Sequence, residues 1–222
     1  MKSMLTALFG GTFDPIHYGH LLPAIALTEE VGLNQISLLP NHIPPHKPQP
    51  EATTTQRLTM LELAIEDMPP VFSIDTREIL SDTTMRPSYT INTLQQWRIE
   101  NGAADGLAFI MGQDSLLSLP TWNHWQTLLD YCHLLICRRP GYAEKTDNTK
   151  LQSWINKHQT TNIQDLHNAP NGYIYFAHTP LEDISATEIR KNINNKKSCI
   201  NLLPPKVWQY IHEQGLYSAK KM

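Results

Sequence analysis

A glycine turn that joins a short apolar strand to a helix constrains the fold of this chain more than any other feature. The turn, Gly10 and Gly11, follows the apolar residues 5–9, which predict a buried strand, and precedes residues 21–30, which predict a helix. In α/β proteins the backbone amides of such a turn and the positive end of the helix bind phosphate groups. The sequence therefore predicts an α/β fold with an anion site near the N-terminus.

The same loop carries two histidines. It reads Gly-Gly-Thr-Phe-Asp-Pro-Ile-His-Tyr-Gly-His, so His17 and His20 are three residues apart, and this spacing puts both imidazoles on one face of a helical turn. The glycines do not have the spacing of a dinucleotide-binding G-x-G-x-x-G, and no Gly-Lys-Ser/Thr closes a Walker loop. The pattern indicates a polyphosphate site with two ionisable donors. The alternative is an ordinary turn with two surface histidines.

Apolar runs alternate with helical segments along the rest of the chain. Strands are predicted over residues 35–39, 71–74, 107–111, 134–137 and 173–177, and helices over residues 53–65, 88–100, 151–157, 185–194 and 205–214. Wholly apolar strands between helices indicate a parallel sheet that is covered on both faces. We predict one domain with a doubly wound α/β sheet, in which residues 1–180 form the core and residues 181–222 a small helical part.

Composition narrows the class of protein. The 222 residues have a formal net charge of −3, so no overall positive field attracts nucleic acid. No segment approaches the 18 apolar residues of a membrane span. The three cysteines form no C-x-x-C pair, which argues against a disulfide framework and a structural zinc site. We expect a cytoplasmic protein, a monomer or small homo-oligomer, without nucleic-acid or membrane partners.

A second anion site is predicted near the C-terminus. Ser185 and Glu188 have the spacing of a capping box, which starts a helix with its first amides free. Thr187 falls in the first turn of that helix and Arg190 about one turn further on. A helix start, hydroxyl groups and a guanidinium together form a cradle for an anion. The alternative is an ordinary capped helix whose Arg190 faces water.

The two motifs together resemble the HxGH nucleotidyltransferase superfamily, and the order of motifs over nearly the whole chain resembles bacterial nicotinate-nucleotide adenylyltransferases. The matching segments are G-G-T-F-D-P-I-H-Y-G-H, P-P-H-K-P, P-S-Y-T, G-Q-D-S, P-T-W, C-R-R-P-G and I-S-A-T-E-I-R. The resemblance implies a Rossmann-like nucleotidyltransferase fold. It also implies transfer of the adenylyl group of ATP to nicotinic acid mononucleotide, which yields deamido-NAD and pyrophosphate in NAD biosynthesis. Alternatives are another acceptor (phosphopantetheine, FMN or NMN) and a nucleotide-binding sensor without catalysis.

The resemblance also implies roles for individual residues. His17 and His20 contact the triphosphate and stabilise the transition state, and Arg190 holds the outer phosphates, so these three are the candidate catalytic residues. With them, the candidate ATP-binding residues are Gly10, Gly11, Thr12, Phe13, Asp14, Gly19, Gly112, Asp114, Arg138, Ile184, Ser185 and Thr187. The candidate acceptor-binding residues are Lys47, Ser88, Tyr89, Thr90 and Trp122.

The acceptor residues suit a pyridine nucleotide. Trp122 can stack on a pyridinium ring, the helix start after Pro87 can bind a carboxylate, and Lys47 supplies a flexible charge. Each also has an ordinary structural interpretation. Trp122 can be a core residue, Thr90 a helix cap and Lys47 a solvated loop charge. Asn123 stands where the family commonly has an aromatic residue, so one ring contact is either lost or replaced by His124 or Trp125. Lys47 stands where the family often has arginine.

The implied reaction needs charge stabilisation more than covalent chemistry. Attack of an acceptor phosphate on the α-phosphate of ATP brings two anions together, so cations and donors must be in place beforehand and no protein nucleophile is required. An adenylyl-histidine intermediate is the alternative. Because no acidic pair has the spacing of metal ligands, we expect Mg²⁺ to be held mainly by ATP phosphates and water. Asp14 is a candidate for a supporting role.

Overall fold

A parallel β-sheet forms the centre of the molecule. The computed structural model describes residues 4–41, 49–80, 89–138, 141, 145–180 and 182–218. The strands are β1 (Leu5–Gly11), β2 (Gln35–Pro40), β3 (Phe72–Ile74), β4 (Gly106–Gly112), β5 (His133–Cys137) and β6 (Ile174–Phe176). Their order across the sheet is β3-β2-β1-β4-β5-β6, and every neighbouring pair is parallel.

Helices follow most of these strands. They are α1 (Tyr18–Val31), α2 (Thr54–Ile65), α3 (Arg77–Leu80), α4 (Thr90–Asn101), α5 (Gln113–Leu117), α6 (Thr149–His158), α7 (Ile163–Asn168), α8 (Ala186–Asn194) and α9 (Pro205–Glu213). Short 3₁₀ turns lie at Leu119–Thr121 and Trp125–Asp130. Of the helices in the described ranges, none combines the length and the apolar composition needed to cross a bilayer.

The strand order confirms the predicted doubly wound sheet. The chain adds β2 and β3 on one side of β1 and then returns to add β4, β5 and β6 on the other. Side chains alternate along β1, so that Leu5 and Ala7 are buried in one core cluster and Leu8 in the other. The first cluster includes apolar residues of α1, α2, α8 and α9, and the second those of α4 and α6. In such folds ligands bind where the strand order reverses, here at the carboxyl ends of β1 and β4.

The C-terminal helices pack back onto the first half of the chain. Ile189 of α8 and Val207 of α9 are fully buried in the same cluster as α1 and the sheet. Helix α9 lies against α2, and the amide of Tyr18 at the start of α1 donates a hydrogen bond to the Leu202 carbonyl at 3.0 Å. This packing places the start of α8 beside the start of α1, and thus brings together the two predicted anion sites.

The strands are predicted closely, and the helix bounds less so. Helix α1 begins at Tyr18, three residues before the predicted start, so His20 lies inside its first turn. The short helices α3, α5 and α7 and the 3₁₀ turns are absent from the prediction. Elements of three to six residues are too short to show a hydrophobic period. The position of His20 in the helix matters most, because it fixes the direction of the imidazole.

A buried histidine at the start of β5 makes stability depend on pH. His133 is fully buried. Its Nε2 lies 2.9 Å from the Ala169 carbonyl oxygen, and its Nδ1 accepts the Tyr173 amide at 3.2 Å. A neutral ring with its proton on Nε2 satisfies both contacts, whereas a protonated ring loses the second. Burial lowers the pKa of His133 to about 4.

We expect the contribution of His133 to stability to be complete above about pH 6.5, where the histidine of an unfolded chain is neutral, and to be lost as the pH falls towards 4. The unfolded state binds more protons in that window, and the loss is on the order of 3 kcal/mol. Urea unfolding at pH 7 and at pH 4 measures it. A His133→Gln variant keeps a donor for Ala169 but does not titrate, so its stability should change less between the two pH values. An equal change in both proteins would contradict the prediction.

Candidate active site

The glycine turn leads from β1 into α1 and is shaped by a phenyl ring. A Cβ atom added to Gly11 would lie 2.7 Å from Cζ of Phe13, so a side chain at this position would displace the buried phenyl ring. Phe13 itself has a left-handed backbone with φ of 50°, a strained conformation for a bulky residue. Its ring is buried and packs edge-on against His20, with the ring centroids 5.2 Å apart. The strained residue thus ties the turn to a predicted catalytic side chain.

The two histidines lie together, as their spacing predicts. His17 is the N-cap residue of α1 and is 1% exposed, and His20 lies in the first turn. The imidazoles are stacked, with centroids 3.7 Å apart and an angle of 30° between the planes. Phe9 also contacts His20 edge-on at 6.0 Å. Aromatic packing therefore sets the orientation of both imidazoles before any substrate binds.

Asp14 connects the turn to remote parts of the chain. Its carboxylate accepts hydrogen bonds from the Glu51 amide at 2.8 Å, the Ala52 amide at 3.1 Å and the Tyr217 hydroxyl at 2.7 Å. Asp14 is 5% exposed, and burial raises the pKa of the Tyr217 phenol, which keeps its proton. These contacts hold the backbone at Glu51 and Ala52 and the Tyr217 ring against the turn.

The second motif places the guanidinium of Arg190 beside the glycine turn. Ser185 is the N-cap of α8, and its hydroxyl accepts the Glu188 amide at 3.2 Å, as the capping pattern predicts. One turn later, Nη1 of Arg190 donates to the backbone oxygen of Asp14 at 2.7 Å. Nε of Arg190 donates to the Glu51 carboxylate at 2.8 Å. Arg190 therefore faces the glycine turn and not bulk water alone.

A second arginine, which the sequence motifs do not predict, lies under the turn. Arg57 of α2 is 1% exposed, and its Nη1 donates to the Thr12 carbonyl oxygen at 2.7 Å. Burial lowers the pKa of Arg57, and the nearby Asp14 charge opposes that shift. One signal was available, because Arg57 shares the helical face of the buried Met60, Leu61 and Ala64. A buried cation in that stripe needs a polar partner, which the turn supplies.

The two motifs form one cleft of about 640 Å³. The predicted ATP-binding residues that line it are Gly10, Gly11, Thr12, Phe13, Asp14, His17, Gly19, His20, Gly112, Asp114, Arg138, Ser185, Thr187 and Arg190. Ile184 does not line the cleft. Its carbonyl oxygen would nevertheless lie only 2.8 Å from a Cβ atom at Gly19, so the motifs touch directly. Glu51 and Glu182, which the sequence analysis did not select, also line the cleft.

Comparison with known proteins agrees with this geometry. Residues 8–192 match the family described as cytidylyltransferase-like. A protein of Yersinia pestis (strain Pestoides F), named "Probable nicotinate-nucleotide adenylyltransferase", is 57% identical over 213 residues, 96% of this chain and 95% of that protein. A protein of the same name from Serratia proteamaculans (strain 568) is 56% identical over 215 residues, 97% of this chain and 96% of that one. The chain belongs to the nicotinate-nucleotide adenylyltransferase family.

A solved structure supports the fold of this adenylyltransferase family. The Plasmodium falciparum nicotinic acid mononucleotide adenylyltransferase, complexed with NaAD, matches with a TM-score of 0.71. The match covers 96% of this chain and 97% of that chain at 18% sequence identity. At such low identity the likeness concerns the fold alone. The family and the fold expected from the sequence motifs are both confirmed.

The residues expected to bind the acceptor of an adenylyltransferase are placed less completely. Lys47 and Ser88 lie outside the described residues. Tyr89 is the N-cap residue of α4 and Thr90 its first residue, and Trp122 is half-buried. None of these three lines the cleft of the two motifs. Tyr89 and Trp122 pack against the second core cluster.

Trp122 nevertheless reaches the glycine turn through one intervening ring. Its indole meets Phe109 edge-on, with centroids 6.4 Å apart, and Phe109 fills the space beside Gly10. Of the two proposed substitutes for the missing aromatic residue, Trp125 is buried against Trp154 at 5.0 Å. That suggestion was wrong, because Trp125 belongs to the core. His124 is exposed and has a left-handed φ of 50°.

Replacing Gly19 with alanine should disturb both motifs at once. The new Cβ would lie 2.8 Å from the Ile184 carbonyl and 2.9 Å from Nδ1 of His17, and backbone cannot rotate away as a side chain can. We expect a loss of about 1–3 kcal/mol of unfolding free energy, together with weaker ATP binding. Urea unfolding and titration with ATP measure the two effects. As a control, alanine at Gly102, where an added Cβ has no neighbour within 4 Å, should affect stability through its backbone conformation but leave ATP binding intact. Unchanged ATP binding in Gly19→Ala would contradict the prediction.

Proposed function

We propose that this chain transfers the adenylyl group of ATP to nicotinic acid mononucleotide, forming deamido-NAD and pyrophosphate in NAD biosynthesis. The observation that carries the proposal is that the two stacked imidazoles of His17 and His20 line the same cleft as Arg190. Such a cleft has the phosphate-binding features expected of a nucleotidyltransferase. The names of the relatives, which match over nearly their full length, supply the acceptor.

In this proposal ATP lies between the starts of α1 and α8. His17 and His20 contact the α-phosphate and the oxygen that becomes part of pyrophosphate, while Arg190 holds the outer phosphates. Ser185 and Thr187 add the hydroxyl groups and amides of a helix start. The nucleotide base and ribose lie towards Gly112, Asp114 and Arg138, which line the same cleft at the ends of β4 and β5.

The reaction we propose is a direct transfer. An oxygen of the acceptor phosphate attacks the α-phosphorus, the bond to the bridging oxygen breaks, and pyrophosphate leaves with the electron pair. Charge grows on the bridging and equatorial oxygens, next to donors that aromatic packing already holds in place. No side chain needs to act as a nucleophile. Protein labelled after incubation with ATP alone would argue for an adenylyl-histidine instead.

We propose that Mg²⁺ enters with ATP as part of the substrate, bound mainly to phosphate oxygens and water. The nearest acidic group of the turn, the Asp14 carboxylate, supports this proposal because it already accepts three hydrogen bonds from the protein. In the ranges that the structure describes, no group of three or more His, Cys, Asp or Glu side chains is arranged to hold a metal ion. The ion would neutralise the negative charge that the leaving pyrophosphate gains when its bond to the α-phosphorus breaks.

For the acceptor, we propose that the pyridinium ring stacks near Trp122 and that its carboxylate meets the start of α4. The amides at the start of α4 lie at the positive end of the helix dipole, which supports an anion site there. Lys47 and Ser88 complete the proposed acceptor site. A neutral carboxamide would bind more weakly at this helix start than a carboxylate does.

We also propose that the reaction takes place in the cytoplasm. Cys132 and Cys199 are free thiols, and thiols persist in a reducing compartment. Burial raises the pKa of Cys132 and Cys199, so both thiols stay protonated and unreactive.

The decisive assay measures pyrophosphate released from ATP and Mg²⁺ with different acceptors. We expect release with nicotinic acid mononucleotide, less with its amide, and none with phosphopantetheine, FMN or no acceptor. A preference for another acceptor would replace the proposed substrate. ATP binding without pyrophosphate release from any acceptor would indicate a sensor.

A further inference from the structure

Glu51 is an acidic side chain in the wall of a cleft built for anions. Its carboxylate accepts the Nε hydrogen bond of Arg190 at 2.8 Å, and its side chain is 59% exposed against 24% for Arg190. A negative charge beside a proposed triphosphate site opposes binding of that triphosphate. Its presence therefore requires an explanation other than direct substrate binding.

The position of this carboxylate is fixed by the fold. The amide of Glu51 donates to Asp14 at 2.8 Å, and the next amide, that of Ala52, donates to the other oxygen of the same carboxylate. One residue later, Thr53 and Gln56 form a complete capping box at the start of α2. These contacts hold the backbone of Glu51 on both sides, so the side chain reaches Arg190 from a defined point.

Arg190 is held on its other side by backbone. Its Nη1 donates to the Asp14 carbonyl oxygen at 2.7 Å, a contact that an incoming anion need not break. The Nε contact differs, because a carboxylate and a phosphate both accept charge-assisted hydrogen bonds from guanidinium. The exposed Glu51 carboxylate can swing into solvent and leave that donor to a phosphate oxygen.

We propose that Glu51 is an exchangeable counter-ion of Arg190, which occupies the guanidinium until the β- and γ-phosphates of ATP displace it and reclaims it when pyrophosphate leaves. The inference rests on the proposed function, since it assigns Arg190 to the outer phosphates. Glu51 acts through Arg190 and is a positioning residue. It keeps the guanidinium oriented towards the cleft while the site is empty, at the cost of weaker polyphosphate binding.

The test is Glu51→Gln, which removes the charge and leaves an amide oxygen that can accept the same hydrogen bond. Titration calorimetry with ATP and Mg²⁺, and separately with pyrophosphate and Mg²⁺, is done without acceptor, so that no reaction occurs. We expect both ligands to bind about 1.5- to fivefold more tightly, because an exposed pair of this kind has a coupling of this order. The KM for nicotinic acid mononucleotide should stay within about twofold, since the acceptor does not meet Arg190.

Two controls separate the ion pair from the general charge of the cleft. Glu182→Gln removes an equal charge from the same cleft and should change ATP binding less than Glu51→Gln does. In an Arg190→Gln background, Glu51→Gln should change the affinity for ATP no more than Glu182→Gln does. Added salt should also narrow the difference between the wild type and Glu51→Gln.

Several results would overturn the inference. Unchanged ATP binding in Glu51→Gln would show that the carboxylate does not compete with ATP for Arg190. Weaker binding would show that the carboxylate aids binding, for example through the hydrated Mg²⁺ ion. Equal tightening by Glu51→Gln and Glu182→Gln would assign the effect to net charge. In each case the wild type would still release pyrophosphate with nicotinic acid mononucleotide, whereas failure of the proposed function would abolish that reaction itself.

Discussion

Replacing His20 with alanine is expected to lower kcat by roughly 10²–10³, which corresponds to about 2.7–4 kcal/mol of transition-state stabilisation. The imidazole lies in the first turn of α1, stacked on His17 at 3.7 Å and packed edge-on against Phe13 at 5.2 Å. Its orientation is fixed before ATP binds, so its donor needs no rearrangement during the reaction. Alanine removes this donor and leaves the cleft otherwise intact.

The effect should be seen in kcat more than in KM. A donor aimed at charge that develops during the reaction acts mainly on the transition state. Steady-state rates of pyrophosphate release, measured while ATP and acceptor are varied in turn, separate the two constants. His20→Asn, which restores a neutral donor of similar size, should recover part of the lost rate.

A matched control is available outside the cleft. His212 of α9 is exposed, stacks edge-on with Trp208 at 4.2 Å and does not line the cleft. His212→Ala should keep the wild-type kcat. If His20→Ala retained kcat within about threefold while folding normally, the assigned part of His20 in charge stabilisation would be refuted.

The parts of the fold that could be predicted are those in which one local pattern determines the structure. The apolar run before Gly10 is long enough to identify a buried strand, and the glycines that end it mark the turn. The spacing of His17 and His20 fixes their common face as soon as a helix begins there. Ser185 similarly identifies the start of α8, because its hydroxyl needs only the amide three residues ahead.

The remaining features depend on contacts between segments that are distant in the sequence. The Tyr217 hydroxyl reaches Asp14 across 203 residues, and no local pattern specifies such a pair. Trp125 and Trp122 look alike in the sequence, yet one is buried against Trp154 and the other is half-buried beside Phe109. The packing of the 3₁₀ turn Trp125–Asp130 against α4, which buries Trp125 in the second core cluster, distinguishes them.

Two separate grounds predict that the two anion sites meet, a general rule of parallel sheets and the family resemblance. The carboxyl ends of parallel strands share one edge of a sheet, and this rule brings the Gly10 turn near Gly112 and Arg138. It does not locate α8, which follows the last strand of the sheet and is placed by the burial of Ile189 and Ile193. The family resemblance alone predicts that Arg190 shares a triphosphate with the two histidines.

Removal of the Arg57 side chain should have the largest effect on stability of any change considered. Arg57 is among the largest fully buried side chains, and its guanidinium donates to the Thr12 carbonyl at 2.7 Å and attracts the buried Asp14 carboxylate. Arg57→Ala leaves a cavity, an unsatisfied carbonyl and an uncompensated charge. We expect a loss of about 3–5 kcal/mol of unfolding free energy, measured by urea unfolding. Lys157→Ala, at an exposed position of α6, should change it by no more than about 0.5 kcal/mol.

A double-mutant cycle identifies which of these losses dominates. Arg57→Met keeps most of the volume and removes the charge, and Asp14→Asn removes the opposing charge while its amide oxygen can still accept a hydrogen bond. If compensation of the Asp14 charge is the main role of Arg57, the double variant should be less destabilised than the sum of the single variants by at least about 1 kcal/mol. Strict additivity would assign the effect to the Thr12 contact, and Arg57 would then support the shape of the phosphate-binding turn through its backbone rather than through the charge of Asp14.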